Sequence, residues 1–350
     1  MSRSQEPTPT PPARGRFTQD ILDHADAEPR HLEAYATLES PAHSYAYALY
    51  PYYQASDLNT TTVLISEVDL PIRLANAVNL AYQHASYPWI NATTEAYIAP
   101  LSLLFSPDGT RFIAGAKERI AVFDSSRDGE GPAVDMQTRT SRKARRYGFP
   151  GVECRGLISA LAIRNDDGLL AAGTTSREVG LWAAYGMGEC AATFELDTDD
   201  ASGNGITEMK WSPCGRYLFI AERKSDALLI YDIRVSGKRL GYTSGRKAMT
   251  AQKLGFDVIE RNGRYDVWAG GTDGSVRIWE NVTSKEDGVE AASSIEAHKD
   301  AVSSVILRSY GDQAVLITAS GQRRDPQDLV ALDEPATAVT PDNTLKIWSI

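Results

Sequence analysis

The heptapeptides DGSVRIW (273–279) and DNTLKIW (342–348) repeat one pattern near the end of the chain. Each begins with a turn-forming Asp, continues with alternating apolar residues, and ends on a Trp. Alternation with a period of two is typical of a half-buried β-strand. Three earlier segments end in the same way, on Phe123, Trp182 and Tyr231.

Five segments share one order of features, and their spacing indicates the architecture. In each, an alternating strand leads to a turn, a second apolar strand leads to small residues, and a third strand ends in the aromatic. Trp182 and Tyr231 stand 49 positions apart, and Tyr231 and Trp279 stand 48 apart. One such sheet cannot bury both of its faces, so neighbouring sheets must stack in a ring. The repeat therefore predicts an all-β fold, a β-propeller. Its segments are 101–124, 157–182, 206–232, 255–279 and 301–348.

The rest of the chain gives one weaker repeat, a tail and an insertion. Residues 44–77 contain two strand-like runs and end in PIRLANA, where Leu74 replaces the aromatic. We interpret them as a degenerate first blade, which makes six recognisable blades in a propeller domain of residues 44–350. Residues 1–43 begin with a Pro- and Thr-rich stretch that predicts a disordered or irregular tail. The last hairpin is split by an insertion at 325–341, a position where function is often added to a rigid scaffold.

Composition excludes several classes of function. The chain has 350 residues and a net charge of −10, which argues against bulk, nonspecific nucleic-acid binding. No apolar run is long enough for a membrane span. The three cysteines lack metal-ligand spacing, so we expect no metal. No phosphate loop, nucleophile elbow or paired-histidine motif is present, so we expect neither a cofactor nor an enzyme.

The third-strand motifs resemble those of the WD-repeat family. The SPDG turn at 106–109 matches the family's first turn, and EAH at 296–298 stands where the family has a Gly-His pair. The resemblance implies a structural hydrogen-bond chain of His, Ser or Thr, Asp and Trp within a blade. The residues that match this chain are His298, Asp342 and Trp348 in the last blade, and Asp273 and Trp279 in the one before.

A narrower resemblance is to the telomerase Cajal body protein family. Segments 102–129, 203–237 and 318–324 look like successive blades of that family, in the same order. The family has seven blades, against the six that are recognisable here. The resemblance implies a non-catalytic protein that binds small Cajal-body RNAs of the box H/ACA and box C/D types, and telomerase RNA in some organisms. It also implies ribonucleoprotein partners, a part in telomere maintenance, and a nuclear, Cajal-body location with some protein in the cytoplasm. We expect a monomeric propeller.

Basic residues concentrate on one rim of the predicted propeller. In a blade of this type, first-to-second-strand turns lie on one rim, and second-to-third-strand turns and inter-blade links lie on the other. A one-sided group of cations is the electrostatic footprint of a nucleic-acid partner. The RNA contacts predicted on the second rim are Lys117, Arg119, Arg142, Lys143, Arg145, Arg146, Arg177, Arg223, Lys224, Arg246, Lys247, Arg323 and Arg324, with Tyr147 as a base-stacking platform.

Two other interpretations remain open from the sequence. Lys and Arg are common in exposed turns, and the run at 139–146 also fits a mobile loop or a nuclear-import signal. The same rim carries acidic stretches at 195–200 and 67–69. The alternative function is a generic WD-repeat scaffold for protein partners, such as a splicing-associated or ubiquitin-ligase adaptor propeller.

Overall fold

The structure, a computed structural model, describes residues 40, 42–79, 82–140, 152–235, 237–284, 288–310, 313–322 and 342–350. The described residues form six sheets of mainly antiparallel strands, one for each predicted repeat. The prediction of an all-β propeller with six recognisable blades is confirmed. Almost all of the predicted tail and the whole insertion at 325–341 lie outside the described residues.

Blades 1 to 3 each have four strands, in the order in which they occur in the chain. Blade 1 consists of β1 (Ser44–Leu49), β2 (Thr62–Glu67), β3 (Ile72–Asn76) and β4 (Gln83–Tyr87). Blade 2 consists of β5 (Ser102–Phe105), β6 (Arg111–Ala116), β7 (Arg119–Asp124) and β8 (Val134–Gln137). Blade 3 consists of β9 (Ile158–Ile163), β10 (Leu170–Thr174), β11 (Glu178–Trp182) and β12 (Cys190–Glu195).

Blades 4 to 6 depart from this regular pattern at their outer edges. Blade 4 consists of β13 (Ile206–Trp211), β14 (Tyr217–Glu222), β15 (Leu228–Asp232) and β16 (Arg239–Thr243), with the short β20 (Gly288–Val289) added in parallel to β16. Blade 5 consists of β17 (Phe256–Arg261), β18 (Arg264–Gly270), β19 (Ser275–Trp279) and β21 (Ser293–Glu296). Blade 6 consists of β22 (Val302–Tyr310), β23 (Gln313–Ser320) and β24 (Leu345–Ser349). Single turns of 3-10 helix occur at Ala184–Gly186 and Ile233–Val235.

The recurring aromatics hold neighbouring blades together. Each one packs into the seam between its own blade and the preceding blade, where it joins a continuous apolar cluster. A large aromatic side chain removes more apolar surface from water on burial than a smaller side chain does, which explains why aromatics recur at this position. The five aromatics and their seams are Phe123 between blades 1 and 2, Trp182 between 2 and 3, Tyr231 between 3 and 4, Trp279 between 4 and 5, and Trp348 between 5 and 6.

The register of blade 1 corrects one detail of the sequence interpretation. In blade 2, Phe123 pairs with Phe112, the second residue of the middle strand β6. In blade 1 the corresponding middle-strand residue is Val63, and its partner is Ala75 instead of Leu74. Because neighbouring residues of a strand point to opposite faces, this shift of one position places Leu74 against blade 2. Ala75, a small residue, therefore takes the place of the aromatic.

The apolar core is continuous from blade 1 to blade 6 but is not seen to close. Five clusters fill the five successive seams, and no apolar cluster of the described residues bridges blade 6 and blade 1. The corresponding outer faces are apolar and exposed, as shown by Tyr47 on β1 at 78% exposure and Leu345 on β24 at 61%. The packed part of the molecule is therefore the stack of five seams.

Candidate nucleic-acid interface

The second-to-third-strand turns and the inter-blade links form one rim, as predicted from the strand order. Lys117 and Arg119 lie between β6 and β7, Arg177 between β10 and β11, and Arg223 between β14 and β15. The link from β16 to β17 carries Arg246 and Lys247, and Lys224 follows Arg223. The other predicted contacts fall outside the described residues: Arg142, Lys143, Arg145, Arg146, Arg323 and Arg324, together with Tyr147.

Blade 2 presents one free and one paired cation on this rim. Lys117 is exposed and has no ion-pair partner among the described residues. Arg119 donates from Nε to Asp135 Oδ1 at 3.0 Å, and its guanidinium lies 5.9 Å from the ring centroid of Trp89. Trp89 Nε1 also donates to Asp135. Asp135 thus neutralises Arg119 and ties it to the seam with blade 1.

Arg177, in blade 3, is committed to a contact with blade 4. Its Nε donates to Glu222 Oε1 at 2.7 Å and its Nη2 to Glu222 Oε2 at 3.1 Å. Glu222 is completely buried, so the bidentate pair compensates a carboxylate that has lost its water. The predicted acidic stretch at 195–200 supplies further acceptors, the Asp197 carbonyl and the Thr198 hydroxyl. Arg177 consequently serves the blade 3–4 seam, and little of its charge faces solvent.

Blade 4 presents the adjacent pair Arg223 and Lys224. Lys224 is exposed, and no ion pair to it occurs among the described residues. Its backbone adopts a left-handed conformation, with φ of 51°. Its N–H donates to the Thr250 carbonyl at 2.8 Å, which attaches the turn to the link before blade 5. Arg223 is half-buried, and its buried Nε has no hydrogen-bond partner in the described part of the chain.

Arg246 does not emerge on the rim, so the prediction of an exposed position is wrong for this residue. Its side chain is 1% exposed. The guanidinium donates to the carbonyls of Gly270 at 3.1 Å, Leu254 at 2.6 Å and Gly255 at 3.3 Å. Burial lowers the pKa of Arg246 to about 10, which leaves it charged at neutral pH. Arg246 therefore organises the backbone beneath the rim.

Lys247, the next residue, is exposed and takes part in a small ionic group. Its Nζ lies 3.1 Å from Asp273 Oδ2. The same carboxylate accepts a bidentate pair from Arg277, at 3.0 and 2.6 Å. The hydrogen bonds from the Arg277 guanidinium hold the pKa of Asp273 well below its usual range, and the Lys247 ammonium adds to this effect. Burial of the carboxylate acts in the opposite direction but does not outweigh them. Asp273 is therefore an ionised turn residue, and Trp279 of the same blade donates elsewhere, to the Ser244 carbonyl at 2.9 Å.

The last blade contains the hydrogen-bond chain that the WD-repeat motifs imply. His298 Nε2 lies 2.7 Å from Thr318 Oγ1, which also accepts from Trp348 Nε1 at 3.0 Å. His298 Nδ1 lies 3.2 Å from Thr344 Oγ1 and 3.5 Å from Asp342 Oδ2. Burial lowers the pKa of His298, and the nearby Lys346 adds to the effect. Thr318 is the Ser or Thr member of this hydrogen-bond chain. It lies near the end of β23, two residues before Ser320.

Blade 5 replaces this histidine with the buried arginine. The backbone N–H of His298 donates to Gly274, five residues before Trp279. The backbone N–H of Arg246 donates to Asp226, five residues before Tyr231. The two residues therefore occupy the same place in successive blades. The sequence signal was the pair Gly245-Arg246, which aligns with Ala297-His298.

The rim also carries exposed residues that the sequence reasoning missed. Met249 is 67% exposed in the link between β16 and β17, and Lys253 is exposed in the same link. Lys299 is exposed in the link before blade 6, where its backbone N–H donates to Asp342 at 2.8 Å. These residues occur singly in the sequence, and no run of basic residues marked them.

The described residues show neither a metal-binding cluster nor a helix-based phosphate loop. They contain no group of three or more His, Cys, Asp or Glu residues that would hold a metal ion. The glycine-rich turn at 270–274 leads into strand β19, as expected, and not into a helix that would face an anion. In the described part of the chain, no helix is both long and apolar enough to cross a membrane.

Comparisons with known proteins give two kinds of relative. The chain is 30% identical over 246 residues to guanine nucleotide-binding protein negative regulator 1 of Schizosaccharomyces pombe, a match that covers 69% of this chain and 58% of that protein. It is 30% identical over 293 residues to telomerase Cajal body protein 1 of Homo sapiens, which covers 83% of this chain and 49% of that protein. The chain spans about half the length of the curated relatives it matches. No protein-family model matches it.

Comparison with solved structures agrees with the architecture. The crystal structure of RRP9 WD40 repeats superimposes on this chain with a TM-score of 0.56 at 13% identity, covering 81% of this chain and 75% of the other. At this identity the likeness shows the fold alone. The fold and the sequence relatives together support an interaction role for a rigid propeller.

Proposed function

We propose an RNA-binding function for this chain, which belongs to the WD-repeat family and is related to the telomerase Cajal body proteins. In this proposal it is a non-catalytic component of small nuclear ribonucleoproteins. It binds small Cajal-body RNA and takes part in the localisation and assembly of these particles. Telomerase is one client, which connects the protein to telomere maintenance.

The observation that carries the proposal is a group of exposed lysines on one rim of an acidic protein. The net charge is −10, yet Lys117, Lys224, Lys247 and Lys253 are all exposed on one rim. Lysine ammonium groups bind phosphate oxygens and release the counterions of the nucleic acid, which provides most of the sequence-independent affinity. The proposal places the protein in the nucleus and the Cajal body, with ribonucleoprotein proteins as partners. No relative's name supports the expected cytoplasmic fraction, so the proposal is restricted to the nucleus.

Retention of RNA by the purified full-length chain tests this function. The chain is incubated with total nuclear RNA, and the retained RNA is sequenced. We expect enrichment of box H/ACA and box C/D small RNAs over abundant structured RNAs of similar length. A steep fall of affinity with salt should accompany this enrichment. Recovery of background RNA only, at low and at moderate salt, would contradict the proposal.

One observation favours a protein-binding scaffold as the second candidate. Among the described residues, β24 is the outermost of the three strands of blade 6, and the side chains of Leu345 and Ile350 are exposed there. An open sheet edge can accept an extended segment of a partner protein. The yeast relative, a regulator of a guanine nucleotide-binding protein by name, fits this class. Stable capture of protein partners after ribonuclease treatment, without retained small RNA, would favour the scaffold.

A further inference from the structure

The link between blades 4 and 5, residues 244–255, is an ordered clasp across three blades. It contains no strand, yet it is hydrogen-bonded to two blades. The backbone N–H of Lys224 in blade 4 donates to the Thr250 carbonyl, and the N–H of Thr272 in blade 5 donates to the Lys247 carbonyl, both at 2.8 Å. The amide of Gln252 donates to the Gly321 carbonyl of blade 6 at 2.6 Å. The clasp is therefore held by all three blades.

Buried groups beneath the clasp fix its shape. Arg246 donates to three carbonyls, two of which belong to the clasp itself. Ala248 and Leu254 form a small apolar cluster with Ala301, the residue before β22. A surface loop anchored at this many points loses little conformational entropy when a ligand binds, which favours affinity.

The exposed side chains of the clasp include one large apolar residue and two lysines. Met249 is exposed, with Lys247 and Lys253 in the same loop and Lys224 attached through the Thr250 carbonyl. Lys224 and Lys253 have no ion-pair partner among the described residues, and Lys247 contacts only an Asp273 that Arg277 already pairs. This group consequently keeps its positive charge available to a ligand.

This combination fits one chemistry better than the others. Ammonium groups bind phosphate oxygens, and a thioether makes favourable contacts with the faces and edges of aromatic rings. A nucleobase offers such a ring only where it is unstacked, which is the state of bases in single-stranded segments. An acidic peptide would satisfy the lysines, but it would not require an exposed flexible apolar side chain in the same loop.

We infer that the clasp at 244–255, together with Lys224, binds a single-stranded segment of RNA. The phosphates contact Lys224, Lys247 and Lys253, and a base packs against Met249. The inference rests on the proposed RNA-binding function and assigns that function to the rim of blades 4 and 5. Arg119 and Arg177, which are paired with carboxylates, then contribute to folding rather than to contact with the RNA.

A charge-matched pair of triple variants tests the inference. The clasp variant is K224Q/K247Q/K253Q. The control is R216Q/R261Q/R264Q, which removes three exposed arginines in or next to the first-to-second-strand turns of the same two blades. Both variants change the net charge equally, and their thermal unfolding midpoints check that both fold. Affinity of the full-length chain is measured over a salt series for a box-type small RNA, a single-stranded oligonucleotide and the same sequence as a duplex.

We expect the clasp variant to lose at least about tenfold in affinity and to reduce the slope of log affinity against log salt by about 2, since three single-strand phosphate contacts disappear. The control should stay within about twofold, because its arginines are on the other rim. M249A should weaken single-strand binding by roughly twofold to tenfold with an unchanged salt slope.

Each contrary result overturns a defined part of the inference. Equal losses in both triple variants, or no loss in either while the native chain binds RNA, would place the contact elsewhere and leave the proposed function intact. Equal affinity for duplex and single strand would overturn the single-strand assignment. Loss of a protein partner with unchanged RNA affinity would make the clasp a protein site. No RNA binding by the native chain would overturn both the inference and the proposed function.

Discussion

Among the described residues, the rim of blades 2 and 3 and the rim of blades 4 and 5 both carry cations but use them differently. In the first region, Arg119 and Arg177 are held by Asp135 and Glu222. In the second, the lysines of and next to the clasp are exposed, while Arg246 is buried and donates to backbone carbonyls. The difference shows that a count of basic residues does not measure the positive surface. The carboxylates on adjacent strands decide which charges are available.

Removal of Arg177 should have the largest effect, and it tests whether the cations of blades 2 and 3 serve stability. R177A leaves Glu222 buried without its partner, so we expect a loss of about 3–5 kcal/mol in the free energy of unfolding. Denaturant unfolding of the full-length chain measures it. The double variant R177M/E222Q removes both charges and should recover most of the loss. A small stability change combined with a large loss of RNA affinity would instead make Arg177 a contact residue.

Removal of Arg246 should have the next largest effect. R246M leaves the carbonyls of Gly270 and Leu254 without their donor, which we expect to lower the free energy of unfolding by about 2 kcal/mol. The clasp should also loosen, so the amide of Lys224, bonded to Thr250, should exchange its hydrogen faster. Hydrogen exchange with mass spectrometry measures this. Unchanged exchange across 223–255 would show that the clasp does not depend on Arg246.

The histidine that replaces Arg246 in blade 6 predicts a pH dependence. Burial lowers the pKa of His298 below its ordinary value of 6.5, so the unfolded chain binds the proton more readily than the folded chain. Stability from this group is complete above about pH 6.5 and falls as the pH drops below that value. H298N should remove this part of the slope between pH 7 and 5, as measured by thermal unfolding. An unchanged slope in H298N would assign the dependence to other groups.

Arg119 should give the smallest effect. Its pair with Asp135 is partly exposed, so R119Q should change the free energy of unfolding by less than about 1 kcal/mol. RNA affinity should change by less than about twofold, because the arginine charge is already neutralised. K117Q, on the exposed neighbour, is the matched control. A larger loss of affinity in R119Q than in the clasp variant would reverse the comparison of the two regions.

Most of the fold follows from local sequence, because the aromatic residue at the end of a third strand, such as Trp279 or Trp348, indicates that this strand packs against the preceding blade. The register of blade 1 does not, since Leu74 and Ala75 are both acceptable strand residues and only the pairing with Val63 decides between them. For the candidate interface, the sequence predicted which rim carries the basic residues, but not which of these residues are exposed and unpaired. The burial of Arg246 depends on backbone carbonyls of the clasp and of blade 5, which come together only in the folded chain.

The most direct test of the central claim is ultraviolet crosslinking of a box-type small RNA to the full-length chain, followed by mass spectrometry of the crosslinked peptides. We expect crosslinks to peptides that contain residues 244–255 and the adjoining turn at 223–224. Crosslinks confined to the turns of blades 2 and 3, or to the opposite rim around Arg216 and Arg261, would contradict this claim.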